Sequence, residues 1–127
     1  MIVLSKEQIL LMHGQLIECY GGIHGVRDDG LLDSAIHAPF QSFDGREFFP
    51  TVIDKATRLC TGLIQNHPFC DGNKRIAAMA LLTTLDLNHI ALHANSHELA
   101  DIILQLAANK VDNELFLHWI KERTYFT

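Results

Sequence analysis

Apolar residues recur at intervals of three and four along most of the chain, which is the pattern of helices with one buried face. No stretch keeps the alternation of apolar and polar residues that favours strands, so the sequence predicts a mainly α-helical fold. Ser5 and Gln8 have capping-box spacing and predict a first helix that ends at Gly21-Gly22. The predicted apolar face of this helix comprises Ile9, Met12, Leu16 and Tyr20.

The same pattern divides the rest of the chain. Residues 76–82 are apolar on every side, so the helix that contains them is predicted to be buried all round at the centre of the domain. Residues 40–49 lack a helical period and predict an ordered connector or short hairpin, residues 90–92 look extended, and residues 121–127 are expected to fray. The other helices are predicted at about residues 31–38, 50–66, 73–88 and 95–108, with a last one after them. Asp28 and Asp29 are placed to cap the first of these, Asn95 with Glu98 opens the fourth, and Asp112 or Asn113 caps the last.

Composition narrows the class of protein. The 127 residues fit one domain, residues 1–127, and a content of 48% hydrophobic and 20% charged residues excludes intrinsic disorder. Ten Lys and Arg against fifteen Asp and Glu give a net charge of -5 at pH 7, which disfavours nonspecific nucleic-acid binding. The longest apolar run is too short to span a bilayer and no secretory signal opens the chain, so a cytoplasmic location without membrane contact is expected.

The segment with the clearest chemical pattern is residues 67–75, between the third predicted helix and the central one. Lys74 and Arg75 place two cations in a first helical turn, where the helix dipole disfavours each by about 0.3–1 kcal/mol. A bound anion would offset this cost, and Gly72 beside the free N–H groups of a helix start suits a phosphate. Asp71 would repel that phosphate unless a hard cation such as Mg²⁺ lies between them. The segment therefore predicts a magnesium–nucleotide site.

His67 lies at the edge of this predicted site. An imidazole there can accept the proton of an attacking hydroxyl. Phe69 is expected to point into the core and, with Pro68, to hold the segment rigid, which phosphoryl transfer requires for positioning. These residues predict a transferase site with a general base.

Other readings of single residues are weaker. Cys70 could act as a nucleophile at a helix start, but a position without a chemical role is the stronger reading, and Cys19 and Cys60 are expected in the core. Three histidines spaced by four could bind zinc only on one continuous helix, and a predicted helix end and helix start fall among them. These histidines are His89, His93 and His97.

Residues 67–75 resemble the HPFx(D/E)GN(G/K)R signature of the Fic/Doc family, also called Fido. The similarity extends to residues 20–22, 25–28 and 30–32, and with its short single domain the chain resembles the Doc toxin branch over practically its whole length. The resemblance implies a helical bundle with a central buried helix and a short flap. It also implies transfer of part of a nucleoside triphosphate to a protein hydroxyl, with Mg²⁺ as cofactor and ATP as co-substrate.

The resemblance also implies a role for each motif residue. His67 would be the base that acts on the target hydroxyl, and Asp71 the magnesium ligand. Residues 41–49 fall where the family places a flap that aligns the target segment by main-chain pairing. The other implied roles are Gly72 and Asn73 as anion cradle, Lys74 and Arg75 as phosphate contacts, Pro68 and Phe69 as structural members of the motif, and Gly45, Arg46, Glu47 and Phe48 in the flap.

The resemblance leaves two transfer reactions open. Lys74 stands where AMP-transferring members usually carry Gly, which favours phosphate transfer, whereas Gly72 matches the AMP-transferring pattern. Ala78 stands where many relatives carry a second Arg, so one phosphate contact is missing or supplied elsewhere. Phosphate transfer to a Ser or Thr of a bacterial protein, by resemblance a translation elongation factor, is the leading prediction, and AMP transfer is the alternative. A metal-dependent phosphohydrolase and an inactive antitoxin-binding module are further alternatives.

The expected partners follow from one absent segment. The family's self-inhibiting sequence, a Ser or Thr followed after three positions by Glu and then Gly or Asn, does not occur in this chain. Inhibition in cis is therefore not expected, and the resemblance implies a separate antitoxin of Phd type. The predicted partners are this antitoxin and a protein substrate, without direct contact to nucleic acid.

Overall fold

The computed structural model describes residues 1–127 and contains six α-helices, so the prediction of a mainly helical fold is confirmed. The helices are Lys6–Tyr20 (α1), Asp29–His37 (α2), Val52–Asn66 (α3), Asn73–Leu87 (α4), Ser96–Ala107 (α5) and Asn113–Arg123 (α6). Short antiparallel strands pair Ser42–Phe43 (β1) with Arg46–Glu47 (β2), and Ile90–Leu92 (β3) with Thr124–Phe126 (β4). A 3₁₀ turn, Ala38–Phe40, follows α2.

Local capping fixes where the helices begin. The predicted caps are all in place, and two of them close reciprocal capping boxes. α3 begins two residues later than Pro50, because Thr51 and Asp54 form a capping box that the prediction did not include. The caps are Ser5 and Asn95 as predicted, Asp28 of the predicted pair Asp28 and Asp29, and Asp112 of the alternatives Asp112 and Asn113.

α4 lies against α1, α3 and α5 at the centre of the fold, and Ile76, Ala77 and Leu81 are fully buried. The prediction that this helix is buried all round is nevertheless wrong. Leu82 is 42% exposed and Ala78 is only partly buried. The reason is that α4 and α5 leave an open groove between them, and these two residues line it.

The buried face of α1 differs in part from the predicted one. Ile9 is buried and Met12 and Leu16 are partly buried against the core, as predicted, but His13 and Ile17 are also buried and Tyr20 is 64% exposed. The prediction considered only apolar residues, whereas the centre of the observed buried face is occupied by His13. The predicted face was therefore displaced by one position along part of the helix. Cys19, expected in the core, is exposed on the outer side of the same helix.

The prediction that residues 121–127 fray is wrong. α6 continues to Arg123, and the next three residues pair with β3 in a regular antiparallel register. Thr, Tyr and Phe favour strands, and β3 supplies the backbone partners that they need.

Cys60 is in the core as expected, and burial raises the pKa of its thiol. None of the six helices has the combination of length and apolar composition that crossing a membrane requires.

Candidate functional site

Residues 67–72, here called the motif loop, join α3 to α4 through a left-handed backbone turn at each end. His67 ends α3 with φ 51° and ψ 54°, and Gly72 precedes α4 with φ 74° and ψ 20°. A side chain at Gly72 would be strained at this φ, and its Cβ would lie 3.3 Å from the Ile17 side chain. The two turns bring His67 and the start of α4 to the wall of the same cavity.

Residues 25–28, here called the strap, run beside the motif loop and form backbone hydrogen bonds with it. The Pro68 carbonyl accepts from two consecutive strap N–H groups, at 2.7 and 3.0 Å. In the other direction, the N–H of Cys70 donates to the Gly25 carbonyl at 3.0 Å. The loop therefore has a fixed backbone path although it contains little regular secondary structure.

The side chain of Arg27 in the strap closes the end of α3. Its Nε donates to the His67 carbonyl at 2.7 Å, and its Nη2 donates to the Asn66 carbonyl at 3.0 Å. A cation at a helix C-terminus compensates the partial negative charge of the free carbonyls. Sequence reasoning missed this role of Arg27, because the residues it contacts lie 39 and 40 positions away.

Asn73 locks the middle of the loop. Its Oδ1 accepts from the Phe69 N–H at 2.9 Å, and its Nδ2 donates to the Phe69 carbonyl at 3.0 Å, with both residues buried. The prediction placed Asn73 in the anion cradle together with Gly72. The Asn73 side chain bonds to Phe69, and the backbone N–H of Asn73, which has no partner within the protein, lies at the start of α4 as the group free for an anion. Phe69 is fully buried, as predicted for a residue that holds the loop.

The Asp71 carboxylate is exposed, and backbone donors fix its orientation. Its Oδ1 accepts from the Gly72 N–H at 2.8 Å, and its Oδ2 accepts from the Ile23 N–H at 3.2 Å. A Cβ on Gly22 would lie 2.7 Å from Oδ2, so glycine at position 22 makes room for the carboxylate. No group of three or more His, Cys, Asp or Glu residues lies close enough to hold a metal. One hard oxygen ligand fits a Mg²⁺ ion that keeps waters and shares phosphate oxygens, but it does not fit a metal held by protein alone.

The first turn of α4 carries unpaired positive charge. Lys74 and Arg75 are exposed and neither forms an ion pair. The N–H groups of Asn73, Lys74 and Arg75 have no hydrogen-bond partner within the protein. The Arg75 guanidinium lies 4.7 Å from the centre of the Tyr20 ring, a cation–π contact that the sequence did not predict. Free N–H groups and free cations together form an anion-binding surface.

A groove of about 530 Å³ extends from this surface between α4 and α5. His67 and residues 70–75 line one end, and Ser96 on α5 adds a hydroxyl. This volume is in the usual range for small-molecule sites. α5 forms the far wall, which the sequence analysis did not connect with the motif. The apolar lining comprises Ala78, Leu82, Leu99, Ala100, Ile103 and Leu104.

The predicted flap is a two-stranded hairpin, as expected for residues 40–49. Its turn is Asp44-Gly45, and both residues have positive φ as short hairpin turns require. The structure does not bring the hairpin into the groove, since none of its residues lines it. The four predicted flap residues, Gly45, Arg46, Glu47 and Phe48, are all exposed.

Comparison with known proteins identifies the family of this chain. The model of the Fic/DOC family matches residues 3–85, which contain the strap, the hairpin and the whole motif loop. The chain belongs to the Fic/Doc family. Within the family it is similar to the Toxin Doc of Mycolicibacterium smegmatis, with 42% identity over 92 residues, or 72% of this chain and 68% of that protein. It is also similar to the Protein kinase doc of Escherichia phage P1, with 28% identity over 108 residues, or 85% of this chain and 84% of that protein.

These findings confirm two predictions made from the motif. The chain lies in the Doc toxin branch of the Fic/Doc family, and its helices form the Fido-type fold of that family. The matched range ends within α4, so α5, which completes the groove, lies outside it.

Proposed function

We propose that this Fic/Doc protein transfers the γ-phosphate of Mg·ATP to a Ser or Thr hydroxyl of a bacterial protein. The observation that supports this most directly is the start of α4, where free N–H groups and two unpaired cations lie on the same cavity wall as His67. The groove beyond it has room for the rest of a nucleotide. The elongation factor named by resemblance is the first target to test.

His67 takes the proton of the target hydroxyl in this proposal. As the hydroxyl oxygen forms its bond to the γ-phosphorus, the bond from that phosphorus to the leaving ADP oxygen breaks, and the proton passes to the imidazole. Lys74, Arg75 and the first N–H groups of α4 bind the phosphate oxygens. The Asp71 carboxylate would hold a Mg²⁺ ion, which would supply positive charge to offset that of the phosphate oxygens. The fixed backbone of the motif loop keeps the imidazole and the anion site in register, and such positioning supplies much of the rate of phosphoryl transfer.

Two observations favour phosphate transfer over AMP transfer. One relative, similar over most of both chains, carries the name Protein kinase doc. The other concerns Gly72, the residue that matched the AMP-transferring pattern. Its φ of 74° and its closeness to Ile17 favour glycine at this position both in a phosphate-transferring and in an AMP-transferring protein. Gly72 therefore no longer supports AMP transfer, while Lys74 still favours transfer of phosphate.

A separate antitoxin controls the protein in this proposal. Two observations support this. A relative carries the name Toxin Doc, and the chain lacks the self-inhibiting sequence of the family. The proposed use of ATP and of a bacterial target protein fits a cytoplasmic location. An antitoxin of Phd type and the target protein are then the two macromolecular partners.

Labelled ATP distinguishes the candidate reactions. The purified protein is incubated with a bacterial lysate and either γ-labelled or α-labelled ATP, next to His67→Ala and to His118→Ala, an exposed histidine on α6. We expect γ label alone on a target protein, a reduction of about 10²- to 10⁴-fold in His67→Ala, and full labelling by His118→Ala.

Each other outcome contradicts the proposal in its own way. The α label on the target would indicate AMP transfer. Release of phosphate without a labelled protein would indicate a phosphohydrolase. Absence of both labels and of phosphate release would leave an inactive antitoxin-binding module.

A further inference from the structure

His13 is a buried polar residue in an otherwise apolar face of α1. Its exposed fraction is 3%, and it lies between the buried residues Ile9 and Ile17. Burial of an imidazole is unfavourable unless its nitrogens find partners. The Nε2 atom of His13 lies 2.7 Å from the backbone carbonyl oxygen of Asp71, which is 58 positions away in the sequence. Because a carbonyl only accepts, Nε2 carries the proton and donates.

The ring of His13 is fixed in orientation as well as in position. It stacks on Phe69, with ring centroids 3.8 Å apart and an angle of 12° between the planes. A Cβ on Gly72 would lie 3.6 Å from Nε2, so the ring also borders the residue that precedes α4. His13 therefore contacts the motif loop at its buried anchor, at the carboxylate residue and at the start of the helix.

The hydrogen bond from His13 controls the peptide unit between Asp71 and Gly72. The carbonyl of this unit accepts from Nε2, while its N–H donates to the Asp71 carboxylate. A rotation of the unit would turn the carboxylate and the first N–H groups of α4 together. Arg27 holds the carbonyls at the opposite end of the loop, so the loop is fixed from both sides.

We infer that His13 is a positioning residue: its Nε2–H holds the Asp71–Gly72 peptide so that the Asp71 carboxylate and the N–H groups of α4 face the phosphates and metal of Mg·ATP together. The inference rests on the proposed function for the identity of that ligand. Residues that orient a metal ligand without touching the metal typically change affinity or activity by about 10- to 100-fold when replaced. A residue that only fills the core would change stability alone.

Two substitutions separate the hydrogen bond from the stacking. His13→Gln keeps an N–H donor and loses the ring, whereas His13→Phe keeps a ring on Phe69 and loses the donor. Ile9→Val is the matched control, because Ile9 lies one helical turn away on the same buried face. His13→Met, which fills the space without a donor, replaces His13→Phe if that variant does not fold.

Three quantities are measured for each variant: the free energy of unfolding, the affinity for a nonhydrolysable Mg·ATP analogue by calorimetry, and hydrogen exchange of the Gly72 N–H in the metal-free protein. We expect His13→Phe to weaken analogue binding by about 10- to 100-fold and to speed exchange at Gly72. We expect His13→Gln to stay close to the wild type in both, and Ile9→Val to change unfolding only.

The outcomes are separable. If His13→Phe binds the analogue and exchanges like the wild type, His13 is a core residue and the inference is wrong. If His13→Gln is impaired as strongly as His13→Phe, the stacking and not the hydrogen bond positions the loop, which also overturns it. If the wild type does not bind the analogue, the proposed function fails, and exchange at Gly72 alone then decides whether His13 holds the peptide.

Discussion

The motif loop and the β1–β2 hairpin are both short connections between helices, but they are held in different ways. The loop buries Phe69 and is bound by side chains from α1, the strap and α4. In the hairpin, every residue from Ser42 to Glu47 is exposed. Its main attachment is Lys55 of α3, whose Nζ donates to Glu47 at 2.8 Å and to the Phe49 carbonyl.

This difference fits the two tasks assigned to the segments. Chemistry on a phosphate needs donors and a base in fixed positions, so the loop that carries them is cross-linked. The role that the family resemblance implies for the hairpin, alignment of an extended target segment, needs an accessible strand edge that can adjust, and the exposed hairpin suits this role. The comparison predicts that substitutions in the loop change both stability and chemistry, whereas substitutions in the hairpin change target recognition and leave the fold intact.

The largest effect on stability is expected for Asn73→Ala. This change leaves the buried N–H and carbonyl of Phe69 without partners, and a buried group that loses its partner costs about 1–3 kcal/mol. With two such groups, the free energy of unfolding should fall by about 2–6 kcal/mol in urea titrations. Asn113→Ala is the control, since its side chain bonds only to exposed Gln65. An equal loss in both variants would show that the loop is not specially held.

A smaller effect on stability is expected for Lys55→Met. Glu47 is half exposed and returns to water, so the free energy of unfolding should fall by about 1 kcal/mol or less. Hydrogen exchange in the hairpin should nevertheless become faster, and labelling of the target protein should need more target while ATP binding stays unchanged. Lys6→Met is the control, because it removes ion pairs with Asp29 and Asp33 that are remote from the hairpin. Unchanged hydrogen exchange in Lys55→Met would show that Lys55 does not hold the hairpin.

The parts of the fold that could be predicted are those set by neighbours in sequence. Ser5, Asp28, Asn95 and Asp112 cap helices through bonds to residues three positions away, and all were predicted. The hairpin was predicted because residues 40–49 break the helical period. The pairing of β3 with β4 was not, since α5 and α6 separate the two strands in sequence and no local pattern links them.

The candidate site also contains one part that neighbours in sequence reveal and another that only the fold brings together. Residues 67–75 are contiguous, so their chemical pattern can be recognised without knowing the fold. The residues that hold them, His13, Arg27 and Tyr20, lie 39 or more positions from their partners and give no local signal. His13 was hidden further, because a search for an apolar face passes over a histidine. The α5 wall of the groove was not predicted either, because no sequence pattern in α5 indicates that it lies against residues 67–75.

The smallest effect on stability is expected for Phe43→Ser, at the exposed side of the hairpin. Phe43 is 74% exposed, so its removal should change the free energy of unfolding by less than about 0.5 kcal/mol. Because a large apolar side chain on an accessible strand suits contact with a partner segment, labelling of the target should fall while binding of the Mg·ATP analogue stays the same. Phe126→Ser on β4 is the control, a phenylalanine that is 76% exposed on the other two-stranded pair. Equal labelling by both variants and the wild type would remove the hairpin from target recognition and leave the motif loop as the only functional connection of the two.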